Sequence, residues 1–308
     1  MIKANAYLGS WGLEALFIPK FEPWRLAEPG SPWEFYRPAG MTIALDSVTT
    51  LPIQFIWQPP VLPDPTLGNG EFGLKLSGFI LGTDISLLYL KSYQDNPISR
   101  IDSIGLHVEY VGGVPDPQSG SLALTPYYEK VTMYGFNFAR PFGGLVLRGE
   151  VGYFTDYHFN LRPEFSPELM TQLMSGSMPD ISNSTMSDFL QAMVGADISG
   201  PWSSSLSMQY IRMQIMDYDP AILSNDEVEE MLTLLVSATF WNEEASVRSL
   251  TLYDNSHDSG LNRFIIGYKI ADAVLLETGI DILWGEQESF IGQFAKNDNA
   301  YLKIIYSF

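Results

Sequence analysis

The connections in this chain alternate in length, and that constrains its fold more than any one segment does. Short connections near residues 9–11, 80–82, 140–143, 199–203, 241–245 and 271–273 take turns with longer ones at 19–68, 93–126, 154–186, 216–230, 255–261 and 285–298. Between them, apolar and polar residues alternate with a period of two, the pattern of strands with two unlike faces. Leu145, Leu147, Gly149, Val151 and Tyr153, for example, oppose Val146, Arg148, Glu150 and Gly152. A soluble sandwich has no reason to couple loop length to strand parity. An antiparallel sheet that crosses one layer does, with tight turns on one side and long loops on the other.

The expected strands are 2–9 with 13–17, 71–79 with 83–92, 127–140 with 144–153, 188–198 with 204–215, 231–241 with 245–254, 262–270 with 274–284, and the terminal 299–308. Within the long connections, Met41–Trp57 reads as a helix or a folded-in segment, Ser103–Tyr110 as a short extra strand, and Pro167–Met174 as a short helix. The expected fold is all-β: a transmembrane antiparallel β-barrel of about 13–14 strands, with 12–16 allowed. It is one unit over residues 1–308, with loops 19–68 and 154–186 folding over or into a pore.

Composition fits this reading. Only 17% of residues are charged and 13% are aromatic. Mean hydropathy is +0.03, and no run reaches the roughly 20 apolar residues of a spanning helix. Strands need no such run, because alternate residues suffice. There are no cysteines, which excludes a disulfide scaffold, a thiolate metal site and cysteine catalysis. A net charge of −19 argues against nucleic-acid binding, which wants a basic face. Much of the acid sits in one presumed loop: Asp217, Asp219, Asp226, Glu227, Glu229 and Glu230. Solubility explains it. A sharper reading is divalent-cation bridging at a lipopolysaccharide surface, since carboxylates suit hard cations.

Several stretches carry a resemblance. They are Gly9-Ser10-Trp11-Gly12-Leu13-Glu14-Ala15-Leu16-Phe17-Ile18-Pro19, Glu71-Phe72-Gly73-Leu74-Lys75-Leu76-Ser77-Gly78, Gly135-Phe136-Asn137-Phe138-Ala139, Arg148-Gly149-Glu150-Val151-Gly152-Tyr153-Phe154, and Phe290-Ile291-Gly292-Gln293-Phe294 through Phe308. The chain resembles the Gram-negative outer-membrane barrel family called domain of unknown function 1302. The resemblance implies a barrel in the bacterial outer membrane and no known substrate. Family members look longer at the N-terminus, with a signal peptide and early strands. Here Met1-Ile2-Lys3 leads directly into an alternating segment, with no apolar core or small-residue cleavage site. With thirteen strands, strand 2–9 runs parallel to the terminal one. The expectation is therefore at least one further strand before Met1 or a count wrong by one, and at the seam either an unusual parallel pairing of strand 2–9 with the terminal strand or an incomplete barrel.

If the apolar positions face lipid, the other face lines a lumen. That places Glu14, Lys75, Arg148, Glu150, Gln191, Asp197, Gln209, Arg263, Lys269, Glu277, Asp281 and Lys303 inside. Mixed charge there reads as a selective aqueous pore or as a salt-bridged packed interior. At this strand number the interior is too wide for strand side chains alone to fill. Gly149, Gly195, Gly267 and Gly279 read as barrel bends.

The three histidines, His107, His158 and His257, fall in or near loops without metal-site spacing. In Ser256-His257-Asp258-Ser259-Gly260, a His and a Ser on one face could act as base and nucleophile. This loosely resembles the His-x-Ser arrangement of outer-membrane phospholipases, but the following Asn is displaced. The main expectation is a porin-like channel passing a small solute, with no enzymatic activity, cofactor or metal. The alternatives are a lipid hydrolase using His257 and Ser259, and a structural barrel without transport. Expected partners are outer-membrane lipid and lipopolysaccharide, and the barrel-assembly machinery through Phe308, a terminal aromatic at the periplasmic girdle that resembles an assembly signal.

Overall fold

The computed structural model describes residues 1–28, 30–44, 50–163, 166, 171–172, 175, 183–223 and 225–307. Its strands are β1 (Ile2–Leu8), β2 (Trp11–Ile18), β3 (Gly40–Ala44), β4 (Thr50–Trp57), β5 (Glu71–Ile80), β6 (Thr83–Tyr93), β7 (Ile98–Val111), β8 (Val114–Tyr127), β9 (Lys130–Phe142), β10 (Leu145–Asn160), β11 (Ser184–Ser199), β12 (Ser205–Ile215), β13 (Val228–Phe240), β14 (Ala245–Asp254), β15 (Ser259–Ala271), β16 (Val274–Trp284) and β17 (Asn299–Tyr306). The fold is all-β. No helix among the described residues is long and apolar enough to cross a membrane.

Thirteen strands form one antiparallel sheet in the order β1-β2-β5-β6-β9-β10-β11-β12-β13-β14-β15-β16-β17. Among the described residues no ladder joins β1 to β17. The two margins nevertheless approach at the long-loop end. The Tyr36 amide donates to Gln293 Oε1 at 2.8 Å, and the Asn297 side chain donates to the Pro32 carbonyl. Trp33 and Phe35 stack on Phe294 at 5.5 Å each. The connection leaving β2 thus meets the connection entering β17.

The four remaining strands form a second sheet, β3-β4-β8-β7. Here two expectations are corrected. The described residues of Met41–Trp57 are strand rather than helix, in keeping with the folded-in alternative: they hold β3 and β4, because Leu51, Ile53, Phe55 and Trp57 alternate with Pro52, Gln54 and Ile56, and Leu51 and Ile53 are buried. The connection 93–126 holds a full hairpin, β7–β8, rather than one short strand. Pro115, Pro117 and Pro126 disguise β8, since proline demotes a run from strand to loop. β4 pairs with β8 in parallel (Ile53↔Gly120, Phe55↔Leu122), which knits two long connections into one body. Its core is Ile43, Leu51, Ile53, Leu122 and Leu124. The expected helix at Pro167–Met174 and the terminal residue Phe308 fall largely or wholly outside the described residues.

The second sheet is tied to the tip of β10. His158 exchanges two hydrogen bonds with Gln94 (N–H to Oε1 2.6 Å, Nε2–H to O 3.0 Å). Asn160 accepts from the Ser99 amide at 2.7 Å and donates to the Pro97 carbonyl at 3.2 Å. A register shift between Phe154 and Tyr157 separates this tip from the rest of β10. Bulges re-aim a strand in this way.

The four glycines read as bends are seats for cross-strand side chains. A Cβ on Gly149 would stand 2.4 Å from the Phe138 ring, and one on Gly279 2.5 Å from the Tyr301 ring. At Gly195 the neighbour is Arg148, and at Gly267 it is the Ser246 hydroxyl. Gly279→Ala is therefore expected to displace Tyr301 and cost about 1–3 kcal/mol, the usual penalty for overpacking. A urea midpoint unchanged from wild type would contradict that contact.

Candidate functional site

The ladders fix which side chains share a face. Register runs from Glu14 to Lys75, Lys75 to Leu88, Leu88 to Gly135, Gly135 to Gly152, Gly152 to Gln191 and Gln191 to Met213. It continues through Glu229, and along β14 to β17 it joins Leu250 to Arg263, Arg263 to Asp281, and Glu277 to Lys303. With alternation along each strand, all twelve charged or amide residues named from the sequence fall on one face of the thirteen-stranded sheet.

The opposite face is apolar and open. Leu74 and Leu76, Leu87, Phe136, Leu147 and Val151, Val194, Met208, Leu232, Leu234 and Val236, Phe264 and Ile266, Ile280 and Ile282, and Leu302 and Ile304 all point there, and all are exposed. Aromatic residues flank this band. Phe142, Phe240, Tyr268 and Tyr306 lie towards the short turns, and Tyr134, Tyr153, Tyr210 and Tyr253 towards the long loops. The last three direct their hydroxyls at carboxylates: Tyr153 to Asp188, Tyr210 to Glu230, and Tyr253 to Asp258 at 3.0 Å.

Ion pairs cross-link the polar face. Arg148 Nη2 reaches Asp197 at 3.1 Å and Ser207 Oγ at 3.0 Å. Arg263 holds Asp281 through Nε and Nη2 at 2.6 and 2.8 Å, and Asn299 adds a donor at 3.2 Å. Lys303 lies 3.5 Å from Glu277 and sits over the Tyr301 ring. Glu14 pairs with Lys3 at 2.6 Å. Lys3 was missed in the sequence, although its polar-face position in β1 was readable. Lys75, Glu150, Gln191, Gln209 and Lys269 have no side-chain ion pair or hydrogen bond among the described residues.

Where the polar face reaches the long loops, a cavity of about 570 Å³ opens beneath the second sheet. Phe55, Trp57, Leu122 and Leu124 form its roof, and Tyr157, Phe159, Phe189 and Met213 its wall. Of the twelve polar-face residues only Gln191 lines it. No local sequence pattern marks this cavity, because its roof and wall come from segments up to about 160 residues apart, from Phe55 to Met213.

Two carboxylates, Asp95 just before β7 and Asp102 within it, have shifted affinities for protons. Burial raises Asp95 above the ordinary aspartate value. Asp102 on β7 is held below it, first by the Thr125 hydroxyl from β8 and then by Arg100. A depressed carboxylate stabilises the fold above its unfolded-state value, and that support is lost as pH falls through the folded-state value. Acidification into and below the ordinary aspartate range is thus expected to lower the thermal midpoint of wild type more steeply than that of Asp102→Asn. Parallel curves would remove Asp102 from the acid response.

His257 and Ser259 are not brought together as base and nucleophile. The His257 ring nitrogens face Asp254 (Nδ1, 3.0 Å) and Asp226 (Nε2, 3.6 Å). Ser259 opens β15 opposite Asp254 and is fully buried, with its Oγ unpartnered among the described residues. In this arrangement the Ser259 hydroxyl makes no hydrogen bond to the His257 ring, the contact a base–nucleophile pair uses. Among the described residues no group of three or more His, Asp or Glu is placed to hold a metal ion.

No curated protein matches the chain. The family described as protein of unknown function (DUF1302) matches residues 1–277, so the resemblance carried by Phe290 onward lies beyond the matched part. That match covers about nine-tenths of the chain, which therefore belongs to the DUF1302 family, protein of unknown function.

Proposed function

We propose that this chain is a Gram-negative outer-membrane β-barrel that passes a small solute. The observation that carries the reading is the two-faced sheet. Thirteen strands expose a continuous apolar band on one face, and ion pairs and free charges occupy the other. Exposed apolar patches on soluble monomers rarely exceed a few hundred Å², whereas a lipid-facing band flanked by aromatic girdles is what an outer-membrane barrel presents. The contact between the connections after β2 and before β17 supports closure of the sheet at its loop end. On this reading the short turns are periplasmic and the second sheet lies at the outer mouth. The acidic loops face lipopolysaccharide, and the C-terminal strand is the segment for the assembly machinery.

The test is single-channel conductance of the purified chain in a planar bilayer, with solute flux into loaded vesicles. Discrete openings are expected. Neither conductance nor flux would defeat the channel and leave a structural barrel. A monomer that stays soluble without detergent would defeat the membrane reading altogether.

A further inference from the structure

The cavity beneath the second sheet indicates what kind of solute the site takes, an inference that rests on the channel reading for its place along a route but not for its chemistry. We propose that this cavity binds an uncharged, largely apolar small molecule, which is held at the outer mouth before it meets the charged interior.

Three features point there. The volume, about 570 Å³, lies inside the range of roughly 300–1,000 Å³ typical of small-molecule pockets. The lining contains no Asp, Glu, Lys or Arg, in a chain that carries 36 acidic and 17 basic residues. A charged ligand would lose its water there without gaining a fixed partner charge. The one lining imidazole, His158, has its Nδ1 engaged by the Asp156 carbonyl at 3.0 Å.

The polar lining groups are largely engaged within the protein, Asn96 with the Tyr157 hydroxyl among them. Asn160, Asn183 and Asn225 spend their amides on Ser99, Pro97 and Glu229. The Gln191 amide has no hydrogen-bond partner among the described residues, is exposed, and projects from the face that carries the ion pairs. An apolar chamber with one free amide at its inner side suits a flat or aliphatic molecule with a single hydroxyl or carbonyl. The ion pairs Arg148–Asp197 and Lys303–Glu277 lie towards the short turns, Lys3–Glu14 lies away from the β1–β2 turn, and Arg263–Asp281 lies near the long-loop ends of β15 and β16; none of these residues lines the chamber.

The test uses the full chain in phospholipid nanodiscs, with empty nanodiscs subtracted. Two fluorescent probes share a ring system and differ in charge at neutral pH: 2-naphthol and 2-naphthoate. Saturable binding of one 2-naphthol per chain is expected, about tenfold or more tighter than 2-naphthoate. Gln191→Trp and Met213→Trp fill the chamber from its wall and should each weaken 2-naphthol by about tenfold. If Met213→Trp does not fold, Gln191→Trp decides, because position 191 is exposed. Equal affinity for both probes, no saturable binding, or folded Trp variants that bind like wild type would overturn the proposal. Conductance is recorded on the same preparations. Conductance without saturable 2-naphthol binding sinks the cavity site and leaves the channel. Saturable, Trp-sensitive binding without conductance or flux sustains the site and removes the channel.

Discussion

Leu234→Arg is expected to destabilise the lipid-inserted chain by about 2–4 kcal/mol, while Thr233→Arg costs less than about 1 kcal/mol. The two positions are neighbours in β13, and alternation sends them to opposite faces. Leu234 is 39% exposed, sits midway along the strand, and pairs with Met208 and Thr251 on the apolar face. Thr233 pairs with Gln209 and Leu252 on the polar face. In water an arginine at position 234 would be harmless, since an exposed charge is solvated. In hydrocarbon it must be desolvated or drag water inward, and near the bilayer centre that dominates every other consequence of the change. Urea unfolding from phospholipid vesicles measures both. Equal costs at the two positions would mean that no lipid contacts the apolar face.

That contrast rests on the part of the fold that the sequence makes legible. Leu232, Leu234 and Val236 against Met231, Thr233 and Leu235 show that the faces are set by small differences of polarity repeated on many strands, not by any one strand. The ladder register then places all twelve polar residues on one side, as alternation implied. Loop-length parity located each of the thirteen strands of the large sheet. It could not reveal the second sheet. β4 and β8 meet in parallel across about 65 residues of sequence (Ile53↔Gly120), and no local pattern encodes which of two long connections finds the other. The prolines of β8 made this worse by imitating a loop. The chamber was hidden for the same reason: Phe55 and Leu122 on its roof face Phe189 and Met213 on its wall only after both sheets have formed. The His257–Ser259 pairing was suggested by proximity in sequence. In the structure the turn places the His257 ring at Asp254 and folds Ser259 inward.

The second large effect is expected at Arg263. Asp281 is 5% exposed, and its two carboxylate oxygens take Nε and Nη2 of Arg263 side by side. Arg263→Met removes both donors and leaves Asn299, at 3.2 Å, as the remaining side-chain donor to the carboxylate. A buried carboxylate stripped of its partner typically costs about 3–5 kcal/mol. The lower end applies here, because Arg263 itself is 48% exposed and water can enter the space it vacates. The pair is not by that token strongly stabilising, since two apolar residues of similar volume often serve as well. Arg263→Met with Asp281→Leu should therefore recover most of the loss, and the double-mutant cycle should return a coupling of about 2–3 kcal/mol. Restoring stability without the pair would mean that the pair itself adds little net stability. Conductance of the stable double variant then separates the two roles: a changed ion preference with unchanged stability assigns Arg263 and Asp281 to the pore. Additive single effects would show that the bidentate contact carries no coupling.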